Sequence, residues 1–254
     1  MTTQRAVILA AGRGSRLGMH ETLPKPLQPV GGLPLIVRIL RKLELSGVME
    51  VGVVVGYLGQ AIRHALANHH FDMRVHTITN AAWEKPNGTS LLSARDFIDR
   101  PTLVLMSDHL FALPLLERVQ RHFVGVDEVA LGVDYRPGRC FDIEDATKVQ
   151  MDGSRITGIG KELADYDALD TGVFKVTPAL IRALDAVNGP DGCSLSQGIA
   201  ILARQGKMHG VDIGDAAWID VDTPKAKRYA ETYLTRYDEL PLVQPMAPAM
   251  ALSA

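Results

Sequence analysis

Short, continuously apolar runs alternate with longer amphipathic segments along the first half of the chain. Continuous apolar runs of this kind are typical of strands that are buried on both faces of a parallel sheet. Such strands are predicted at residues 6–10, 51–55, 75–78, 102–106 and 129–133. Segments with helical spacing of apolar residues lie between them, at residues 34–46, 60–68, 90–97 and 114–122. The alternation predicts an α/β fold with a doubly wound sheet.

The second half of the chain is less regular, and its clearest local signal is Asp152-Gly153. An Asp-Gly pair between two strand-like runs is typical of a β-hairpin, here with strands at residues 147–151 and 155–159. Further strands are predicted at residues 173–176, 208–213 and 218–221. Further helices are predicted at residues 178–186, 194–204 and 224–237. No linker or repeat separates the halves. We therefore expect a single domain over residues 1–240 with a Rossmann-like, mixed and mainly parallel sheet, and a disordered tail over residues 241–254.

Composition and charge narrow the class of protein. The 27 basic and 29 acidic side chains give a formal net charge of −2, without a long run of one sign. Nucleic acids and anionic membranes require clustered Lys and Arg, so neither is an expected partner. The two cysteines, Cys140 and Cys193, are too few for a disulfide framework or a structural zinc site. No apolar run has the length of a signal peptide or a membrane span, and we expect a cytoplasmic protein.

A loop rich in glycine and arginine, residues 12–18, directly follows the first predicted strand. Glycines at a strand end let backbone N–H groups approach a phosphate closely, and arginines add charge-assisted hydrogen bonds. The segment predicts a phosphate-binding loop, and a tight turn without a ligand is the alternative. The residues expected to contact the nucleotide here are Leu9, Ala10, Ala11, Gly12, Gly14, Ser15 and Arg16.

Two better-known phosphate loops are disfavoured by residues that this sequence lacks. A Walker loop ends in Gly-Lys-Ser or Gly-Lys-Thr, and the glycine-rich segment contains neither. A Rossmann dinucleotide site needs an acidic residue at the end of the second strand, where it binds the ribose. The second predicted strand ends in Val55-Gly56-Tyr57 instead. The loop therefore indicates another class of nucleotide site.

Lys25 lies between two prolines shortly after this loop, in the segment Leu23-Pro24-Lys25-Pro26-Leu27. Flanking prolines restrict the backbone and hold the lysine in a rigid, extended segment. A lysine on an unconstrained surface loop is usually only solvated. The constraint therefore favours a functional role for Lys25.

Candidate metal ligands follow two other predicted strands. Asp108 follows the strand at residues 102–106, at the strand end where open α/β sheets bind their ligands. Asp220 and Asp222 occupy alternate positions of another strand and should point to the same face. Mg²⁺ bound to a triphosphate requires only one or two protein carboxylates. Asp108 with one or both of the other two predicts such a site, although Asp222 is also suited to cap the following helix.

The glycine-rich loop and Lys25 together resemble the signature of the sugar-phosphate nucleotidyltransferase superfamily, with its MobA-like NTP-transferase fold. Its members transfer a nucleotidyl group from a nucleoside triphosphate to a phosphorylated acceptor and release pyrophosphate. The resemblance implies a sheet of the nucleotide-diphospho-sugar transferase type, with an elaborated, acceptor-binding C-terminal half. It makes Arg16 and Lys25 catalytic, Arg16 at the β- and γ-phosphates and Lys25 at the α-phosphate. It also assigns Mg²⁺ to Asp108 and to the pair of Asp220 and Asp222.

Several further segments are similar to the CTP:inositol-1-phosphate cytidylyltransferase family. These segments are residues 87–90, 107–109, 142–149, 159–161, 166–172 and 218–224. The resemblance implies transfer of CMP from CTP to inositol-1-phosphate, with CDP-inositol and pyrophosphate as products. Nucleotide contacts are then expected for Asn87, Gly88, Thr89, Ser90 and Asp108. Acceptor contacts are expected for Lys161, Asp170, Thr171 and Lys148.

Members of that family are often fused to a membrane phosphatidyltransferase-type domain. Because no apolar run here is long enough to span a bilayer, we expect a stand-alone enzyme whose downstream membrane partner is encoded separately. Three alternatives stay open. They are a cytidylyltransferase for phosphocholine or a phosphonate, a sugar-1-phosphate nucleotidyltransferase, and a nucleotide sensor without turnover.

Overall fold

The computed structural model describes residues 3–14, 16 and 22–237, without the side chains of residues 233 and 235–237. Within these residues the chain forms thirteen β-strands, which are β1 (Arg5–Ala10), β2 (Pro29–Val30), β3 (Leu33–Pro34), β4 (Glu50–Val55), β5 (Arg74–Thr79), β6 (Thr102–Met106), β7 (His109–Phe111), β8 (Val129–Asp134), β9 (Lys148–Asp152), β10 (Arg155–Gly160), β11 (Ala168–Val176), β12 (Met208–Asp212) and β13 (Trp218–Asp220). The same part of the chain forms seven α-helices, which are α1 (Leu35–Leu45), α2 (Gly59–Ala67), α3 (Asn87–Leu92), α4 (Leu113–Arg121), α5 (Pro178–Asp185), α6 (Leu195–Arg204) and α7 (Pro224–Tyr237).

Nine of these strands form one mixed sheet, in the order β5-β4-β1-β6-β11-β8-β12-β10-β9. In its first part, β1 lies between β4 and β6 and is parallel to both, and β5 continues this arrangement at one edge. The second half of the chain adds β11, which is antiparallel to β6 and β8, and the hairpin of β9 and β10. Among the described strands of this sheet, four pairings are parallel and five are antiparallel. The antiparallel share is therefore larger than the apolar runs of the first half suggest.

Helices cover both faces of the sheet. Successive side chains of a strand point to opposite sides, so a strand can contact both helical layers. On one face Ala6 and Ile8 of β1 pack with apolar residues of α1, α2 and α4. On the other face Val7 and Leu9 pack with residues of α3, α5 and α6. These four side chains of β1 are all buried, which explains why the strand shows no apolar–polar alternation. The two covered faces confirm the doubly wound α/β fold.

Most predicted elements are present within a few residues of their expected bounds. The bounds predicted for the helix at residues 90–97 are wrong. Helix α3 begins at Asn87 and ends at Leu92, and a separate 3₁₀ turn, Arg95–Phe97, follows. The hairpin at Asp152-Gly153 is confirmed, with Gly153 at a φ of +57° in the turn. The short strands β2, β3 and β7 have only two or three residues each, too few to show a period, and were not predicted.

The predicted tail, residues 241–254, lies outside the described residues. In the part of the chain that is described, no helix combines the length and the apolar character needed to cross a lipid bilayer.

Candidate active site

A cleft of about 280 Å³ opens beside the carboxyl end of β6, where Met106, Asp108 and His109 contribute to its wall. Further lining residues come from the segment 140–147, from Lys161 after β10, from β11, from the start of α6 and from β13. Open α/β sheets bind ligands at the carboxyl ends of their parallel strands. The cleft therefore lies where the strand order predicts a site.

Lys25 is held rigidly at the edge of this cleft. Pro24 is extended, with φ −64° and ψ 147°, and a 3₁₀ turn over Lys25–Leu27 follows it. The side chain of Lys25 is only 8% exposed, and its Nζ lies 2.7 Å from Asp108 Oδ2. The same ammonium also pairs with the carboxylate of Asp222 and lies 3.9 Å from Asp220 Oδ1. One buried cation thus faces all three predicted metal carboxylates.

The described part of the glycine-rich loop packs directly on Lys25. Gly14 has a φ of +62°, and a Cβ at this position would lie 2.5 Å from Lys25 Cβ. Glycine is required here by both the backbone conformation and the close contact. Gly12 faces open space, since a Cβ on it would meet no atom within 4 Å. Ser15 lies outside the described residues.

Arg16 connects the glycine-rich loop to two carboxylates that line the cleft. Its guanidinium pairs with Asp222, and its Nη1 lies 2.5 Å from Asp145 Oδ2. The other oxygen of Asp145 lies 2.5 Å from Lys161 Nζ. Asp145 therefore bridges the cation of the predicted phosphate loop and the cation of the predicted acceptor side.

Strand pairing brings the carboxylates together from distant parts of the sequence. β7 starts directly after Asp108 and pairs antiparallel with β13, so that His109 lies opposite Asp220. The backbone N–H of Val221 donates to the carbonyl oxygen of Asp108 at 3.0 Å. This small two-stranded sheet fixes the two acidic segments next to each other.

His109 is oriented by contacts on several sides. Its Nδ1 lies 2.8 Å from Asp108 Oδ1, and its ring stacks on Trp218 with an interplanar angle of 4° and a centroid distance of 6.1 Å. The indole Nε1 of Trp218 donates to the buried carboxylate of Asp134 at 3.0 Å. Gly172 packs against the imidazole so closely that a Cβ would lie 2.7 Å from His109 Cδ2. The ring is therefore fixed in position beside Asp108.

The charges of the cleft influence one another strongly. Burial alone would raise the pKa of Asp108, but Lys25 and His109 hold it well below its usual range. Burial also disfavours a charge on His109, yet the carboxylates of Asp220, Asp108 and Asp170 raise its pKa to about 9. Burial and repulsion from Asp108 raise the pKa of Asp220, and burial raises that of Asp170 to about 6. Carboxyl groups outnumber the cations here, which favours an additional bound cation.

The donor atoms suit a divalent cation that prefers oxygen ligands. Asp145, Asp220 and Asp222 each offer a carboxylate oxygen, and these atoms lie within 4.8 Å of one another. Asp108, His109 and Asp220 form a second such group. Within the described residues the buried Oδ1 of Asp220 has no hydrogen-bond partner. Carboxylate oxygens are the protein ligands that Mg²⁺ prefers, so these residues fit that ion.

The residues predicted to contact the nucleotide occupy different environments. Leu9, Ala10 and Ala11 are buried at the end of β1. Asn87 is the member of the 87–90 segment that lines the cleft, and its Oδ1 accepts a hydrogen bond from the backbone N–H of Leu195 at 2.9 Å. The other three members of the segment point into the protein.

Gly88, Thr89 and Ser90 have other surroundings. Ser90 is buried, and its hydroxyl accepts a hydrogen bond from Asn80 Nδ2 at 3.0 Å. Thr89 Oγ1 accepts one from the backbone N–H of Cys193 at 3.2 Å. A Cβ on Gly88 would lie 2.6 Å from the carbonyl oxygen of Cys193. These residues join α3 to the segment before α6 and do not line the cleft.

Two of the four predicted acceptor residues line the cleft, namely Lys161 and Asp170. Thr171 does not line it, because its side chain is fully buried and its hydroxyl donates to the carbonyl oxygen of Gly132 at 2.8 Å. Lys148 also lies outside the lining, and its Nζ donates to the carbonyl oxygen of Glu144 at 3.1 Å.

Sequence reasoning missed several residues of the cleft. Trp218 and Phe141 line it, and the bridging role of Asp145 was not predicted. Trp218 directly precedes the acidic segment of β13, and an aromatic residue beside candidate ligands was the available signal. Nothing in the sequence indicated that Asp145 contacts Arg16, which lies 129 positions earlier.

The doubly wound sheet and the lysine-carboxylate cluster at its carboxyl edge are typical of nucleotidyltransferases. Residues 6–151, which are more than half of the chain, match the profile of the MobA-like NTP transferase domain. The chain belongs to the MobA-like NTP transferase family.

Curated relatives extend this likeness beyond the family domain. The "Bifunctional IPC transferase and DIPP synthase" of Rubrobacter xylanophilus is 36% identical over 228 residues, which cover 89% of this chain and 51% of the relative. The "CMP-5'-(3-aminopropyl)phosphonate synthase" of Streptomyces rubellomurinus is 31% identical over 254 residues, with 89% of this chain and 38% of the relative covered. The chain thus spans about half the length of the first relative and less of the second.

A solved structure shares the architecture. The inositol-1-phosphate CTP transferase from T. maritima superposes with a TM-score of 0.81 at 24% identity. The superposition covers 94% of this chain and 98% of that one. The two proteins share their fold.

Proposed function

We propose that this chain transfers CMP from CTP to inositol-1-phosphate and thereby forms CDP-inositol and pyrophosphate. The observation that carries the proposal is the contact of Lys25 with Asp108 and Asp222, two carboxylates of a cleft that Lys161 also lines. The similarity of residues 87–172 to inositol-phosphate cytidylyltransferases supports the choice of substrates. The Rubrobacter xylanophilus relative, by its name an IPC transferase, supports it as well.

In the proposed reaction an oxygen of the acceptor phosphate attacks the α-phosphorus of CTP. A new P–O bond forms there, while the bond from the α-phosphorus to the bridging oxygen of the leaving pyrophosphate breaks. The attacking phosphate oxygen is already anionic at neutral pH, so no strong general base is needed. Catalysis then depends on positioning the two phosphates and on neutralising their charge.

Arg16 and Lys25 are the proposed catalytic cations. Lys25 is held by its turn and its burial, so its ammonium presents a fixed positive charge for the α-phosphate. Arg16 is 57% exposed, which leaves it free to move from its carboxylate partners to the β- and γ-phosphates. A fixed charge at the reacting phosphorus and a mobile one at the leaving group fit this division of roles.

The cleft requires a further cation before it binds a triphosphate. Four cations, Arg16, Lys25, Lys161 and the protonated His109, face six carboxyl groups, those of Asp108, Asp142, Asp145, Asp170, Asp220 and Asp222. A triphosphate adds negative charge to a site that is already acidic. We propose that Mg²⁺ is held by Asp108 together with Asp220 or Asp222, where it would neutralise phosphate charge. Asp220 is the stronger candidate of that pair, because its buried Oδ1 accepts no hydrogen bond within the described residues.

The acceptor end of the cleft is proposed to hold inositol-1-phosphate. Lys161 would bind its phosphate, since it is half-exposed and points to the cleft through its contact with Asp145. Inositol carries several hydroxyl groups, which carboxylates recognise well. Asp142, Asp145 and Asp170 line this part of the cleft and are proposed as their partners.

We infer that the reaction takes place in the cytoplasm, because both substrates are small, highly charged metabolites. The product contains a phosphoanhydride bond, which suits it to donate its inositol phosphate to an alcohol. A membrane phosphatidyltransferase-type enzyme is the proposed consumer.

Pyrophosphate release tests the proposal directly. The protein is incubated with CTP, Mg²⁺ and one acceptor at a time, namely inositol-1-phosphate, phosphocholine, 3-aminopropylphosphonate or glucose-1-phosphate. Release with inositol-1-phosphate alone, and CDP-inositol as the product by mass spectrometry, is the expected result. Lys207→Ala, which changes a lysine outside the cleft lining, serves as a control with unchanged activity.

The second candidate is a phosphonate cytidylyltransferase, which the name of the Streptomyces rubellomurinus relative favours. Turnover of the aminopropylphosphonate without turnover of inositol-1-phosphate would replace the first proposal by the second. CTP binding without release for any acceptor would instead favour a nucleotide sensor.

A further inference from the structure

A second cavity lies where the parallel strands β1, β4, β5 and β6 begin, whereas the candidate active site lies beside the carboxyl end of β6. We call this second cavity the basal cavity. Its volume is about 760 Å³, and it is lined by the amino ends of β1, β4, β5 and β6, the carboxyl end of α4 and the carboxyl end of β11. It shares no lining residue with the cleft beside Asp108. Adjacent residues of β11 separate the two, because Phe174 lines the cleft and Lys175 lines the basal cavity.

Basic side chains dominate the lining of the basal cavity. Five of them, Arg5, Arg74, Arg100, Arg121 and Lys175, face a single lining carboxylate, that of Glu50. Two acidic side chains nearby add partial compensation, since Asp99 pairs with Arg5 and Arg100, and Glu117 pairs with Arg121. With five cations and three carboxylates the basal cavity has a net positive charge, whereas carboxyl groups outnumber cations in the candidate active site.

Lys175 is the most unusual of these cations. It is only 4% exposed, and its Nζ donates to the carbonyl oxygens of Gln120 at 2.9 Å and His122 at 2.6 Å. An ammonium has three N–H groups, and no carboxylate of the described residues forms an ion pair with this one. A buried charge without a counter-charge is costly, so Lys175 favours an anion at this place.

We propose that the basal cavity is a second ligand site, which binds a small soluble anion carrying phosphate groups with at least two negative charges. Lys175 supplies the buried positive charge at the wall. Arg74 and Arg121, which are 73% and 67% exposed, supply mobile guanidinium groups at the opening. Guanidinium groups bind phosphate oxygens in pairs and suit this chemistry.

The position of Lys175 distinguishes a soluble ligand from a membrane surface. Lipid headgroups in a bilayer reach exposed arginines, but they do not reach an ammonium that is buried behind them. The rim also carries Phe123, 83% exposed, and Met49, 57% exposed. These apolar side chains give a ligand with a flat ring an additional contact, so we include nucleotides within the proposed class.

Isothermal titration of the full chain with inorganic pyrophosphate tests the proposal. EDTA is present and ionic strength is constant, because the acidic cleft without a divalent cation repels the probe and salt screens surface charges. The wild type is expected to bind, Lys175→Met to bind at least tenfold more weakly, and Arg121→Gln several-fold more weakly. Arg16→Gln, which alters an exposed cation of the cleft, is expected to bind as the wild type does. Hydrogen exchange should show protection of residues 121–124 by pyrophosphate.

Three results would overturn the proposal. They are the absence of binding at millimolar pyrophosphate, equal binding by Lys175→Met, and loss of binding in Arg16→Gln. Recruitment to phosphatidylglycerol vesicles without binding of free pyrophosphate would also overturn it, in favour of a membrane surface. Lys175→Met retains the hydrocarbon length of lysine, and its circular dichroism and its CMP transfer without added anion confirm that it is folded. Arg121→Gln keeps the test valid if that variant does not fold.

Discussion

Lys25 Nζ lies 2.7 Å from Asp108 Oδ2, although 83 positions separate the two residues in the chain. The contact joins the constrained segment after β1 to the carboxyl end of β6. Each partner of this ion pair also attracts a ligand. A phosphate group attracts the ammonium of Lys25, and a metal ion attracts the carboxylate of Asp108. On our proposal, metal and triphosphate bind together, since the metal occupies the carboxylates and leaves Lys25 and Arg16 to the phosphates.

Replacement of Lys25 by methionine should separate catalysis from the binding of metal. We expect CMP transfer to fall by about three orders of magnitude or more, because the fixed charge at the α-phosphate is lost. The variant should also be less stable without metal, by about 3–5 kcal/mol, since buried carboxylates lose their partner. Mg²⁺ should raise the melting temperature of the variant more than that of the wild type. Turnover is measured by pyrophosphate release and stability by thermal unfolding.

Lys207→Ala is the control, with wild-type values expected in both measurements. Unchanged turnover in Lys25→Met would exclude Lys25 from the mechanism. Equal Mg²⁺-induced shifts in both proteins would separate Lys25 from the metal site.

Asp108→Asn tests the metal ligand with little change of shape. The amide keeps the size of the carboxylate but loses its charge, so the affinity for Mg²⁺ should fall by at least tenfold and turnover with it. The measurement is the Mg²⁺ concentration that gives half-maximal turnover, after removal of metal by EDTA. Asp185→Asn is the matched control, because Asp185 pairs with Arg95 on the surface at 2.7 Å. A wild-type Mg²⁺ dependence of Asp108→Asn would contradict the assignment.

The sequence predicted the elements of the first half well because their physical signals are local. A run such as residues 6–10 is apolar at every position only when both faces of a strand are buried. The two prolines around Lys25 likewise restrict the backbone through neighbouring atoms alone. Both features follow from a few consecutive residues, so neither requires knowledge of the tertiary structure.

The missed features depend on contacts between distant residues. Asp145 is acidic in a loop with several other acidic residues, and only the fold places it between Arg16 and Lys161. Thr171 next to Asp170 looked equally suited to bind a hydroxyl group, but strand alternation turns it into the sheet. The sequence also contained no sign that Gly88 and Thr89, to which the resemblance assigned nucleotide contacts, pack against the residues before α6.

Asp145 and Lys161 allow a test of the acceptor site. We expect Lys161→Ala to raise the KM for inositol-1-phosphate about tenfold or more, because a charge-assisted contact with its phosphate is lost. The KM for CTP should change little. Asp145→Asn should free Arg16, and is expected to lower the KM for CTP while it raises that for the acceptor. Steady-state kinetics with each substrate varied in turn measures both effects.

Lys207→Ala again provides the control for a lost surface lysine. Equal changes of both KM values in Lys161→Ala would show a general disturbance of the cleft. An unaltered acceptor KM would exclude Lys161 from acceptor binding.

Gly172→Ala tests whether the position of His109 matters for the site. Gly172 has a φ of +74°, and the added Cβ would lie 2.7 Å from His109 Cδ2, so the imidazole must move away from Asp108. Gly153→Ala is a matched control, because Gly153 also has a positive φ, +57°, but its Cβ would meet no atom within 4 Å. Both variants should lose about 1–2 kcal/mol of unfolding free energy from backbone strain. Gly172→Ala alone should also lose turnover and affinity for Mg²⁺, and equal turnover in the two variants would show that the orientation of His109 is not required.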